Sequence, residues 1–206
     1  MKQIIDQSHF EIIDGTERYY GADQYWHERK TQGINGCGPA TAAQITQYMA
    51  SAFAETCAPL YHYTLPPQKQ EFVRHISEVR EYVRPGLMGL TDHKYFIKAA
   101  KAFAQSRGVP LGAVSINAMQ GRGVAFAHIC RAVDQRYMPA LLILRNPFPE
   151  IDEFTWHWMA VTGYDAHAET ICISTYGEAY ELAFDKVWHQ VKPYRTACVY
   201  FYPKQR

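Results

Sequence analysis

Cys37 lies in the string QGINGCGPATAAQI, directly ahead of a run with apolar residues at helical spacing. A thiol at a helix start faces unpaired backbone N–H groups and the positive end of the helix dipole, and both favour thiolate. Gly36 and Gly38 carry no side chain that could cover the sulfur. They also let a substrate backbone approach closely, so both are read as substrate-binding positions. The same turn can offer the Cys37 backbone N–H to a developing oxyanion. Together these features meet the requirements of acyl transfer to sulfur. The other cysteines, Cys57, Cys130, Cys172 and Cys198, lack this setting and are read as small buried hydrophobes.

A cysteine nucleophile needs a base near it in space, not in sequence. His157 in TWHWMAVTGYD opens a strand whose later residues, Met159 and Val161, are apolar. Trp156 and Trp158 flank it. Their indoles can shield the imidazole from water, which strengthens an ion pair with a thiolate, and they are read as bordering the substrate. His27, His62, His75, His93, His167 and His189 fall in polar loops or on helix faces and are expected at the surface. His128 falls within a helix. Zinc held by Cys37 and His157 would need further ligands, and no CxxC pair or ligand spacing supplies them. No metal or organic cofactor is expected. Gly121-Arg122-Gly123 lacks the strand–loop–helix context and the Lys-Ser/Thr of a phosphate cradle.

The elements that must position these residues change character along the chain. From Pro39, Ala42, Ile45, Met49 and Ala52 recur at helical spacing. A second helix is expected over about 68–83, stopped by Pro85-Gly86. A third runs from near Thr91 or Asp92 to Gly108, a strand follows at LGAVSI, and a fourth helix covers about 124–136. After Pro139 the pattern is strands: PALLIL, WHWMAVTGY, ETICIST and TACVYFY, the last alternating Ala197, Val199 and Phe201 on one face. Helices first and strands afterwards make an α+β fold, expected as one domain over 1–206 with a helical lobe over about 30–137 and a sheet lobe over about 138–206.

Composition bounds the partners. The chain has 206 residues with 21 basic and 20 acidic side chains, for a formal charge of +1. That balance leaves no electrostatic footprint for nucleic acid or an anionic membrane. A chain of this size buries roughly 70% of its unfolded surface and needs no disulfides. The odd cysteine count and the N-terminal MKQIIDQSHFEIIDG, which carries Asp6, Glu11 and Asp14 and no signal-peptide core, point to a reducing, cytoplasmic setting. Oligomeric state is not encoded in any pattern here.

CGPATAAQITQYM resembles the Cys-Gly-Pro helix start of the bacteriocin-processing, double-glycine-type peptidases of the papain-like superfamily. HWMAVTGYD is similar to their His-x-x-x-Val-x-Gly-Tyr-Asp strand, PALLIL to the strand before it, and LAFDKVW to a Phe-x-x-x-Trp element near the end. The resemblance covers most of residues 32–190. It implies a papain-like fold, with a helical lobe carrying Cys37 against a sheet lobe carrying His157, and cleavage of a peptide or amide bond. The family places Asp or Asn on the strand after the histidine; here that position falls on Ser174, with Asp165 and Glu178 as substitutes off the position. The family's oxyanion glutamine maps to Gln32, with Asn35 as the alternative. Ser174 would orient the imidazole without adding charge. A catalytically weak peptide-binding module and a Cys-dependent amidase or acyltransferase are the competing expectations.

Overall fold

The computed structural model describes residues 1–27 and 33–204. The run CGPATAAQITQYMASA forms helix α1 (Cys37–Ala52), and every residue from Cys37 to Ala50 is buried. A helix covered on all sides belongs to the core, and the alanines on it let neighbours come close. It starts two residues before Pro39, which takes the first turn, where a missing N–H costs nothing. Helix α2 (Lys69–Arg80) turns Phe72, His75, Ile76 and Val79 inward. Helix α3 (His93–Ser106) is capped by the Asp92 carboxylate, which accepts from the Lys94 N–H, and buries Phe96, Ala99 and Phe103. Helix α4 (Arg122–Asp134) buries Ala125, His128, Ile129, Ala132 and Val133.

The strands are β1 (Lys2–Ile4), β2 (Ile12–Asp14), β3 (Glu17–Tyr19), β4 (Leu111–Asn117), β5 (Ala140–Ile143), β6 (His157–Asp165), β7 (Thr170–Thr175), β8 (Glu178–Ala183), β9 (Gln190–Val191), β10 (Tyr194–Arg195) and β11 (Ala197–Pro203). The main sheet is antiparallel in the order β4-β11-β5-β6-β7-β8. Short β5 pairs only with His157 to Ala160, so β1 covers the far half of β6 at Gly163 to Asp165. Thus β1 and β4 join the sheet from outside the expected 138–206 region. β8, for which the sequence pattern gave no strand, occupies the sheet edge, where its side chains are exposed or half-buried and alternate too weakly to read.

Helices cover both faces. Phe96 of α3 packs on Trp158 and Phe201, while His128 of α4 packs on Tyr200, and neighbouring strand residues face opposite ways. Helix α1 lies against β6 and β5. The class is therefore α+β as expected, with the Cys37 helix packed against the antiparallel sheet. Among the described residues no helix is long and apolar enough to cross a membrane.

After β3 the chain runs as a strap, residues 20–27, along the end of the sheet. The Tyr20 N–H donates to Gly177 O at 2.7 Å and the Gly177 N–H to Ala22 O at 3.1 Å. The Ala22 N–H donates to Gln44 Oε1 of α1 at 3.0 Å. Gly21 has φ +87°, and a Cβ there would stand 2.2 Å from Ser174 Oγ, so only glycine fits the crossing.

Candidate active site

Four segments meet at one end of α1. The helix start brings Cys37, the start of β6 brings His157, the end of β7 brings Thr175, and the strap brings Gln24. Cys37, His157 and Gln24 line a cleft of about 430 Å³ that opens past Thr155, Trp156 and the loop at Leu87. The same three residues, with Ser174 and Thr175, also border a small cavity of about 10 Å³, close to the space of one water. Cys37 is only 6% exposed and His157 4%.

His157 Nε2 lies 2.7 Å from Thr175 Oγ1. This hydroxyl, not that of Ser174, is the partner of the imidazole. Neighbouring residues of a strand point to opposite faces, so Ser174 and Thr175 cannot both reach it. Ser174 faces α1: it accepts from Gln44 Nε2 at 2.8 Å and donates to Tyr20 O, tying strap, helix and sheet together. The Tyr176 ring stacks on His157 at 4.8 Å and 17°, and Tyr25 stacks beyond it. Tyr176 and Gly177 form the two-residue turn between β7 and β8 with φ of 54° and 75°. Asparagine is the usual first residue of such a turn, so a tyrosine there is held against its own preference.

Burial decides the charges. It pushes the Cys37 thiol up, although the N–H groups of Trp158, Gly38 and Cys37 itself pull the other way. It lowers His157 to about 4. The site therefore holds a neutral thiol and a neutral imidazole near pH 7, whereas the helix start alone pointed to thiolate. Desolvation outweighs the dipole here.

The remaining expected residues divide. Trp156 borders the cleft; its φ is 53°, its N–H donates to Leu144 O at 3.0 Å, and its ring meets Tyr194 edge-on at 4.8 Å. Trp158 instead lies in the core, stacked on Phe96 at 4.1 Å, with its indole N–H on Leu90 O at 2.6 Å. Gly36 and Gly38 are buried and do not open the sulfur to solvent. A Cβ on Gly36 would stand 2.2 Å from His27 Nε2, and one on Gly38 would stand 3.2 Å from Leu90. Their small size lets His27 and Leu90 pack against the helix start. Gln32 lies outside the described residues. Asn35 borders the cleft, but its amide donates to Gly86 O and Leu87 O at 3.3 and 3.1 Å.

Gln24 is the residue the sequence did not reveal. It is nearly buried, lines both cavities, and its side-chain amide has no hydrogen-bond partner among the described residues. Twelve residues lie between it and Cys37 in the sequence, so no local motif marks it. His27 and His75, expected at the surface, are buried: His27 packs on Gly36, and His75 bonds Thr46 Oγ1 at 2.9 Å between α1 and α2. Cys130 and Cys172 are half-buried, not fully so. No group of three metal-ligating side chains converges among the described residues.

No protein-family model matches the chain, and no curated protein does. Among solved structures the chain is similar to the crystal structure of the Pseudomonas avirulence protein AvrPphB, at 14% identity and a TM-score of 0.38, over 86% of this chain and 95% of that one.

Proposed function

We propose that the chain hydrolyses peptide or amide bonds through a Cys37 acyl-enzyme, with His157 as general base. The observation that carries this reading is the convergence of a helix-start cysteine, a strand-start histidine and an unpartnered glutamine amide on one cleft. The thiol attacks the carbonyl carbon while His157 takes its proton; the carbon–nitrogen bond then breaks and His157 returns the proton to the leaving amine. The Gln24 amide and the Cys37 N–H hold the oxyanion, the part first assigned to Gln32. Thr175 keeps the ring in place. Water then attacks the thioester and releases the acid. The Cys37 helix packed against an antiparallel sheet that carries His157 is the arrangement the papain-like resemblance implies, and the Cys-Gly-Pro and His-x-x-x-Val-x-Gly-Tyr-Asp strings favour a relative of the double-glycine-type peptidases.

One observation favours a second reading, a peptide-binding module with little turnover: the imidazole partner is a neutral hydroxyl and the thiol is buried. Alkylation of each cysteine by iodoacetamide against pH, in wild type and His157→Ala, separates the two. Catalysis predicts that His157, as base, speeds Cys37 alkylation near pH 7, so that His157→Ala slows it at least about tenfold while Cys130 and Cys172 keep their rates. Equal rates in both proteins would leave only the binding module. Acyl-enzyme trapped with amine acceptors present then distinguishes hydrolase from acyltransferase.

A further inference from the structure

Four of the large exposed hydrophobic side chains, Ile34, Leu87, Met88 and Trp156, border the same cleft as Cys37. Leu87 is 99% exposed and Met88 73%. Single exposed apolar residues carry no message, but a cluster at the mouth of a cavity marks a place where apolar surface is to be covered. None of the described residues lining this cleft is Asp, Glu, Lys or Arg. Its volume falls within the range that takes a small ligand or a few residues of peptide.

The loop that presents Leu87 and Met88 is pinned. Gly86 and Gly89 exchange backbone hydrogen bonds at 3.0 and 3.1 Å, closing a turn with the two side chains at its tip. Gly89 takes φ +76°, which favours glycine at that corner. On one side the Asn35 amide holds Gly86 O and Leu87 O; on the other the Trp158 indole N–H holds Leu90 O. Asn35 stands two residues before the nucleophile and Trp158 one after the base. The backbone of the apolar tip is thereby held in register with both halves of the site, and a fixed backbone that presents two exposed apolar side chains suits a recognition surface.

We infer that Leu87 and Met88 are specificity-determining residues, which take an uncharged, apolar side chain from a peptide bound in the Cys37 cleft. The inference deepens the catalytic reading by naming the substrate class, yet it concerns binding and can be tested without turnover. The protein used is the full chain carrying Cys37→Ala. The probes are three fluorescein-labelled Gly/Ser hexapeptides that carry Leu-Leu, Asp-Asp or Lys-Lys at the centre, and the readout is anisotropy. The Leu-Leu peptide is expected to bind at least about tenfold tighter than the charged ones, as burying one leucine side chain allows.

Leu87→Ser combined with Met88→Ser should reduce that preference to within about twofold while leaving the thermal midpoint unchanged, because both side chains are exposed. Equal binding of the three peptides, no binding of any, or a preference that survives the double substitution would overturn the inference. The alkylation result in the protein with Cys37 intact is read separately. An ordinary thiol there removes the catalytic reading and leaves the binding preference to stand or fall by itself.

Discussion

At the residue scale the proposed Cys37–His157 pair rests on one hydrogen bond. Thr175 gives His157 a neutral partner, so nothing offsets the cost of burying an imidazolium. Thr175→Val should leave His157 Nε2 without a partner, at a cost of about 1–3 kcal/mol in stability, and slow Cys37 alkylation. Thr175→Asp should act in the opposite sense. A carboxylate within about 4–6 Å favours the charged ring by roughly 1–3 pKa units, so His157 should titrate higher and the Cys37 thiolate form at lower pH. Iodoacetamide rates against pH across the three proteins check both claims, and identical profiles would remove Thr175 from the site. Ser174 was the position the family spacing indicated. The count from 157 to 174 crosses a bulge between Val161 and Gly163 and the connection Ala166–Glu169, and a change of one residue in either moves a side chain to the other face of the strand. Cys37 and His157 were legible because each is marked by its own neighbours in sequence.

At the element scale, two pieces that the sequence did not mark hold the site together. The first is the turn at Tyr176-Gly177, where Tyr176 covers His157 from a left-handed conformation. Tyr176→Asn should make the turn more favourable and raise stability, while uncovering His157 and letting its pKa rise toward the ordinary value. Urea unfolding together with the His157 titration reads both effects; a variant that loses stability would contradict the account of the turn. The second piece is the strap. Ser174→Ala removes the acceptor of Gln44 and the donor to Tyr20 O and should cost about 1–3 kcal/mol. Its effect on the Cys37 alkylation pKa should be small, because the Ser174 hydroxyl bonds Gln44 and Tyr20 O, not His157. A large change in that pKa would restore Ser174 to the catalytic group. Helix α1 was readable from its apolar residues at helical spacing and strand β6 from its short run of apolar residues, both local signals. The strap's place rests on contacts across more than a hundred residues, which no local pattern records.

For the whole molecule, the buried histidines set the response to acid. His157 is lowered to about 4 by burial alone. His27 is lowered to about 4 by burial and the Arg80 charge against a hydrogen bond to Gly36, and His128 to about 4 by burial and the Arg131 charge. In the unfolded chain these rings titrate near 6.5. Between about pH 6.5 and 4 the unfolded state thus binds more protons than the native one, so the stability these groups leave intact at neutral pH is lost as pH falls through that window. The urea midpoint should drop steadily from pH 7 to pH 4.5. His128 isolates one share of the effect: its Nε2 has no partner among the described residues, its ring packs on Tyr200, and no residue of α4 lines the cleft. His128→Phe keeps an aromatic ring there and removes the titration. At pH 4.5 it should recover about 1–2 kcal/mol relative to wild type, after discounting partial screening by solvent, with the difference shrinking toward pH 7. Cys37 alkylation at pH 7 should not change. If the stability gap were the same at both pH values, packing against Tyr200 and not proton uptake would be what the histidine supplies.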